Sequence, residues 1–138
     1  MTNNEGENTI SPNLYRLIDA NLNRLREGIR VVEDIQRFIF NNKDISKNLK
    51  KLRHLSRIED DKLLLTNRDI LNDVLKSTTK SESSRENLDS VIKANIKRAQ
   101  ESSRVLEESL KIINDTEAEK FKNIRYELYN IEKEISEL

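Results

Sequence analysis

A chain of 138 residues is the size of one ordinary domain, able to bury a single core without disulfides or a structural metal. With 36% charged against 35% hydrophobic residues, 2 Gly and 1 Pro, the composition favours helices with wide solvated faces over a sheet. Lys plus Arg equals Asp plus Glu at 25 each, which excludes a whole-molecule basic field for nucleic acid or anionic lipid, and the lack of cysteine excludes disulfides, thiolate nucleophiles and Cys-based metal sites.

In chain order, residues 1–11 are polar and aperiodic and read as a disordered tail without the apolar stretch of a secretory signal. No apolar run approaches the roughly 20 residues of a membrane helix, so a cytoplasmic protein with no membrane partner is expected. Ser11-Pro12 signals a helix start, because proline lacks the N–H that would be unsatisfied there. From it, Leu14, Ile18, Leu22, Leu25, Ile29, Val32, Ile35 and Ile39 draw one apolar stripe to about Asn41. Asn41-Asn42 marks a turn, and a second segment through Ile45, Leu49, Leu52 and Leu55 reaches on toward Leu65. Residues 67–83 lose periodicity and read as the longest connection. A third helix is expected from about Ser84 to Ile113 and a fourth from about Glu117 to the end. The expected architecture is all-α, a single domain over 12–138, with halves at about 12–66 and 84–138.

Those halves repeat. Ile18–Asp34 and Ile92–Glu108 align without gaps, with 8 identities in 17 positions. The shared pattern is carried by Ala20, Asn21, Arg24, Glu27, Arg30, Val31 and Glu33, then by Ala94, Asn95, Arg98, Glu101, Arg104, Val105 and Glu107. The following helices match more weakly, with Leu49, Lys50, Leu52 and Arg53 opposite Phe121, Lys122, Ile124 and Arg125. A four-helix bundle of two repeated helical hairpins about a pseudo-twofold follows. Most of the identities are polar, although solvated positions drift freely because surface changes usually cost less than about 0.5 kcal/mol.

At 100° per residue, Asn21 and Asn95 fall inside the apolar stripe and Arg24 and Arg98 at its edge. Buried amides and guanidinia need partners, which leaves two readings open: a polar network that fixes bundle register or dimerisation, or a site for a polar ligand. In the second, arginines hold phosphate by bidentate bonds and asparagines orient a ring edge, with Glu27, Arg30, Glu101 and Arg104 at the rim. Gly28, central in the first helix, and Ser102 opposite it leave room for close approach. Glu33 and Glu107 read as surface charges in ordinary ion pairs. Arg68, Asp69 and Asp73 suit an Asx-type turn or residues closing on a ligand. His54, the single histidine, reads as a surface residue. No metal site is expected: the Glu-x-x-His iron pattern and both glycine-rich nucleotide loops are absent.

The segments YRLIDANLNRLREGIRVVED, LKKLRH, NRDILNDV, IKANIKRAQESSRVLEE and IRYELYNIEKE resemble, in that order, the helical domain at the N-terminus of some bacterial thiamine-phosphate synthases, also found as a freestanding protein. That family looks like an alternative phosphomethylpyrimidine kinase of thiamine biosynthesis. The resemblance implies a phosphorylated pyrimidine as ligand, ATP and magnesium as co-reactants, and no nucleic acid, and it leaves room for a homodimer. It places the binding residues at Asn21, Arg24, Glu27 and Arg30, at Asn95, Arg98, Glu101 and Arg104, and in the loop at Arg68, Asp69 and Asp73, with Arg53 and His54 in its Leu-Arg-His segment. It names no catalytic residue and does not extend to the synthase barrel, so complete synthase activity is not implied. The chain departs from the family at Leu75, where glycine is usual, and at Ser102-Ser103, where Ala-Leu is usual. A non-catalytic scaffolding bundle remains the alternative.

Overall fold

The computed structural model describes residues 12–59, 61–78 and 85–138. The tail expected at residues 1–11 and part of the expected connection lie outside the described residues. Five helices and no strand are present among those described. Helix α1 spans Pro12–Asp34 and runs into a π-helical turn at Ile35–Ile39. Then come α2 (Lys43–Leu55), α3 (Asp61–Thr66), α4 (Leu88–Leu110) and α5 (Asp115–Ser136).

The helix boundaries follow from local chemistry. Asn42, Asn87 and Asn114 precede α2, α4 and α5, and each Oδ1 accepts the backbone N–H three residues on, at 3.1, 2.9 and 3.1 Å. An asparagine cap satisfies one of the four orphan donors at a helix start. Asn41 supplies the sharp exit from α1 with φ of 54°, a left-handed conformation that asparagine tolerates. The periodicity into Leu65 does not make one helix. After Leu55 the backbone turns at Ser56, whose buried hydroxyl donates back to the Leu52 carbonyl at 2.7 Å, and α3 begins as a separate element.

The long helices α1 and α4 pack against each other along much of their length, α2 lies on α1, and α5 lies on α4. Contact between α2 and α5 is slight, so the layer order is α2, α1, α4, α5. The stripe expected on α1 is the core as far as Ile35, while its last member, Ile39, and Leu55 of α2 are exposed: Ile18, Leu22, Leu25, Ile29 and Val32 are buried with Ile45, Leu49 and Leu52 of α2 and with Ile92, Ile96, Leu106, Phe121, Ile124 and Leu128 beyond. A Cβ built on Gly28 would lie 2.8 Å from the Asn95 carbonyl oxygen and 3.4 Å from the Ala99 Cβ. The two helices therefore cross as closely as backbone permits, and only glycine fits.

Glu33 and Glu107 are not surface charges. Both are buried and both reach across to the neighbouring helix. Arg53 of α2 donates through Nε to Glu33 Oε1 at 2.7 Å and through Nη2 to Oε2 at 3.2 Å. Arg125 of α5 donates through Nη2 to Glu107 Oε1 at 2.9 Å. The reason lies in helical geometry: the last turn of each long helix has its core face turned toward the helix that packs back on it, and a carboxylate there is dry unless a guanidinium follows it in.

Candidate functional site

The crossing at Gly28 leaves a groove alongside it. On α1 the spacing of Asn21, Arg24 and Glu27, three residues apart, sets them on one face beside the crossing. Arg98, Glu101 and Ser102 on α4 meet them from the other wall, and Asp73, Leu75 and Lys76 of the loop after α3 cover one side. The groove encloses about 900 Å³. Its charged lining, Arg24, Lys76, Lys97 and Arg98 against Glu27, Asp73 and Glu101, is mixed and exposed. A second recess of about 570 Å³ shares Asn21, Arg24, Asp73 and Lys76 and continues toward Arg16 and Asp69, so the two form one polar channel along α1.

Asn21 is buried, and its Nδ2 donates to the Leu17 carbonyl at 3.0 Å; Asn95, half-buried, does the same to Val91 at 2.8 Å. Identical sequence gives identical local geometry, but only Asn21 lines the groove. Asn95 stands at the helix crossing, its backbone oxygen against Gly28. Arg24 and Arg98 make no ion pair among the described residues, and a guanidinium in that state presents its whole donor fork to whatever enters. Arg30 and Arg104 stand apart on exposed faces. Arg30 pairs with Asp34 at 3.3 Å, and Arg104 pairs with Glu108 at 3.5 Å and Glu107 at 3.9 Å. His54 is exposed near the end of α2 and lines neither recess.

The loop is held by a bridge that sequence reasoning missed. Arg68 donates through Nε and Nη2 to the two carboxylate oxygens of Asp19, both at 2.8 Å, and this doubly bonded contact raises the Arg68 pKa above its ordinary value. Asp19 is buried on α1, 49 residues away, and no local pattern announces such a partner. Arg16 Nε reaches the Asp69 carbonyl at 3.3 Å. The Asp69 carboxylate then accepts the backbone N–H groups of Leu71 and Asn72, each at 3.1 Å, and the Asn72 side chain at 2.7 Å, which is the Asx-type turn expected. Asp73 Oδ1 accepts the Leu75 N–H at 3.0 Å. Leu75, where the resembled family has glycine, projects from the loop and lines the groove.

Hydrogen bonds from Asn72 hold the Asp69 carboxyl below its reference value of 3.8. A depressed carboxylate stabilises the turn above its unfolded pKa, and that contribution is lost as pH falls through the lower folded value. The expected result is that amide protection at Leu71 and Asn72, measured against the intrinsic exchange rate at each pH, persists at pH 5 and is lost only below about pH 3.8, ahead of the helical amides; loss of protection at pH 5 would show that the turn does not depend on this carboxylate.

The ThiD2 family model matches residues 16–134. The chain belongs to the ThiD2 family. Among curated relatives, it is 36% identical over 123 residues to the thiamine-phosphate synthase of Nostoc punctiforme, covering 88% of the chain and 35% of that protein. It is 39% identical over 127 residues to that of Synechococcus sp. strain CC9605 (91% and 36%) and 37% identical over 133 residues to that of Rhodopirellula baltica (93% and 36%). The chain thus spans about a third of the length of the curated relatives it matches. No solved structure matches it. The ThiD2 match takes in every residue of the groove, both walls and the loop. Among the described residues, no helix is long and apolar enough to cross a membrane, and no cluster of three His, Cys, Asp or Glu could hold a metal ion.

Proposed function

We propose that this ThiD2 chain serves thiamine biosynthesis in the cytoplasm by binding a phosphorylated pyrimidine precursor in the α1–α4 groove and transferring to its phosphate the γ-phosphoryl group of ATP, with release of ADP. The observation that carries this reading is the pair Arg24 and Arg98, without ion-pair partners among the described residues, one on each wall of a groove that also takes in buried Asn21. Two guanidinia facing one space favour a phosphate, and an amide beside them can take the ring edge. Glu27 and Glu101 on the same faces would orient the arginines.

The lining fits the co-reactants in a limited way. Lys76 adds a cation for a second phosphate chain, whereas Lys97, also in the lining, is paired with Glu132 at 3.2 Å. With no metal-holding cluster among the described residues, magnesium would be carried by the phosphates and by one of Glu27, Asp73 or Glu101, which suits an ion that keeps most of its waters. Phosphoryl transfer rests on positioning and charge neutralisation, so the missing glycine loop is no obstacle in principle.

In this reading the pairs α1/α2 and α4/α5 are copies of one hairpin related by a pseudo-twofold, and the arginine and glutamate of each copy line the same groove while only the first copy's asparagine does. A homodimer is compatible with it. The scaffolding alternative draws on a specific observation: Glu33–Arg53 and Glu107–Arg125 are structural, so part of the polar repeat serves stability alone.

Titration calorimetry with 4-amino-5-hydroxymethyl-2-methylpyrimidine phosphate, with and without a magnesium-bound nonhydrolysable ATP analogue, tests the proposal. Saturable binding is expected, weakened about tenfold to a hundredfold by Arg24→Ala or Arg98→Ala, since a bond to a charged group is worth about 1.5–3 kcal/mol. Melting temperature should hardly change, both side chains being exposed. Binding with no transfer from ATP would remove the kinase step; no heat at all, with destabilised variants, would favour the scaffold.

A further inference from the structure

A second basic recess, of about 500 Å³, lies at the elbow between α1 and α2. It is lined by Arg37 of the π-helical turn and by Lys43, Lys47 and Lys50 of α2, which the i, i+4, i+7 spacing brings to one face. All four are exposed, and none makes an ion pair among the described residues. The acids do not neutralise them: Glu33 lines the recess but is bonded to Arg53, Asp34 faces Arg30, and Asp44 in the first turn of α2 does not line the recess. A cation at a helix start opposes the macrodipole, so Lys43, which stands beside Asp44 in the first turn of α2, costs stability where a second acid would help. The matching start of α5 carries the favourable choice, Asp115 and Glu117.

Two further observations point to an occupant. Ser46 lines the recess, is more than nine-tenths buried, and its hydroxyl has no hydrogen-bond partner among the described residues. A buried hydroxyl without a partner is uncommon in a folded protein and calls for one. The chain entering the recess is also irregular, with a π turn at Ile35–Ile39 and Asn41 in the left-handed region, and π turns concentrate at functional sites.

The geometry points to a second anion site at this elbow, taking a small molecule that bears a di- or triphosphate, with Arg37, Lys47 and Lys50 holding its charge and Ser46 donating to it. It is separate from the α1–α4 groove: Arg37 follows Arg24 by roughly 20 Å along the same helix at about 1.5 Å per residue. The site does not depend on the identity of the ligand in that groove.

Pyrophosphate and tripolyphosphate are the probes, titrated into the full chain with amide chemical shifts as the readout. The expected result is saturable binding, tighter for tripolyphosphate, with shifts centred on Arg37 to Lys50. Arg37→Ala with Lys47→Ala should weaken it at least about tenfold, and Ser46→Ala by a smaller factor, while Arg24→Ala with Arg98→Ala leaves it unchanged. The cation variant should melt no lower than the parent, because it removes mutual repulsion. Absence of saturation at millimolar probe, shifts centred on Arg24 and Arg98 instead, or equal affinity in the Arg37/Lys47 variant would each overturn the assignment. Failure of the pyrimidine phosphate titration would leave it standing.

Discussion

Replacing Glu33 by alanine is expected to lower stability by about 1.5–3 kcal/mol, since it strips the half-buried Arg53 guanidinium of its counter-charge and of two charge-assisted hydrogen bonds. Glu33 is 1% exposed and accepts two bonds from Arg53, whose own pKa is raised, chiefly by that hydrogen bond. Glu107→Ala should cost less. The Glu107–Arg125 pair has one bond instead of two, the Arg125 Nε lacks a partner among the described residues, and the guanidinium keeps contact with Tyr129, whose hydroxyl accepts at 3.4 Å, and with the Tyr126 ring at 4.9 Å. Urea midpoints of the single variants and of the Glu33→Ala/Arg53→Ala double variant measure the difference. If Glu33→Ala costs less than 1 kcal/mol, the pair is solvated in solution and the buried arrangement is wrong. Replacing each pair with apolar residues of similar volume can be neutral, so the double variant is expected to recover part of the loss.

Gly28→Val should be nearly as damaging and should also disturb the groove. A Cβ would stand 2.8 Å from a backbone oxygen that cannot rotate away, so α1 and α4 must separate. Overpacking of this kind costs about 1–3 kcal/mol, and β-branching adds to the clash. Gly28→Ala isolates the effect: helix propensity alone would stabilise by about 1 kcal/mol, so a net loss measures the close approach. Because Asn21, Arg24 and Glu27 ride on α1 while Arg98 and Glu101 ride on α4, separation also widens the space between the two arginines. Pyrimidine phosphate affinity should fall in Gly28→Val even though the side chain does not line the groove. A variant of unchanged stability and affinity would show that the crossing is looser than described.

The apolar stripes of α1, α4 and α5 were legible because each is long and periodic, whereas Asn42 was read only as part of a turn and Asn114 not at all, although both cap the helix that follows. The break at Ser56 was not: Ile58, Leu64 and Leu65 continue an apolar pattern, and no proline or glycine interrupts it. Asn21, Arg24, Glu27, Arg98 and Glu101 were read from the repeat and line one groove; Asn95, Arg30 and Arg104, read from the same repeat, do not. A repeat copies residues but not surroundings, and the loop with Asp73 and Lys76 covers the first copy's end of the groove. Glu33 and Glu107 were misread because their partners sit on other helices, although Arg53 and Arg125 aligned with each other in the weaker half of the repeat. Lys43, Lys47 and Lys50 share a face that sequence spacing alone reveals.

The groove owes its existence to the meeting of α1 with α4, segments some seventy positions apart in the chain. Each of the pairs α1/α2 and α4/α5 closes over a short turn, whereas their mutual docking must pay for a much longer loop. A ligand gripped from both walls would bind only the docked state and add RT ln(1 + [L]/Kd) to it, about 2.7 kcal/mol at a hundredfold excess over Kd. Cellular lifetime of the protein would then rise and fall with the supply of its own ligand.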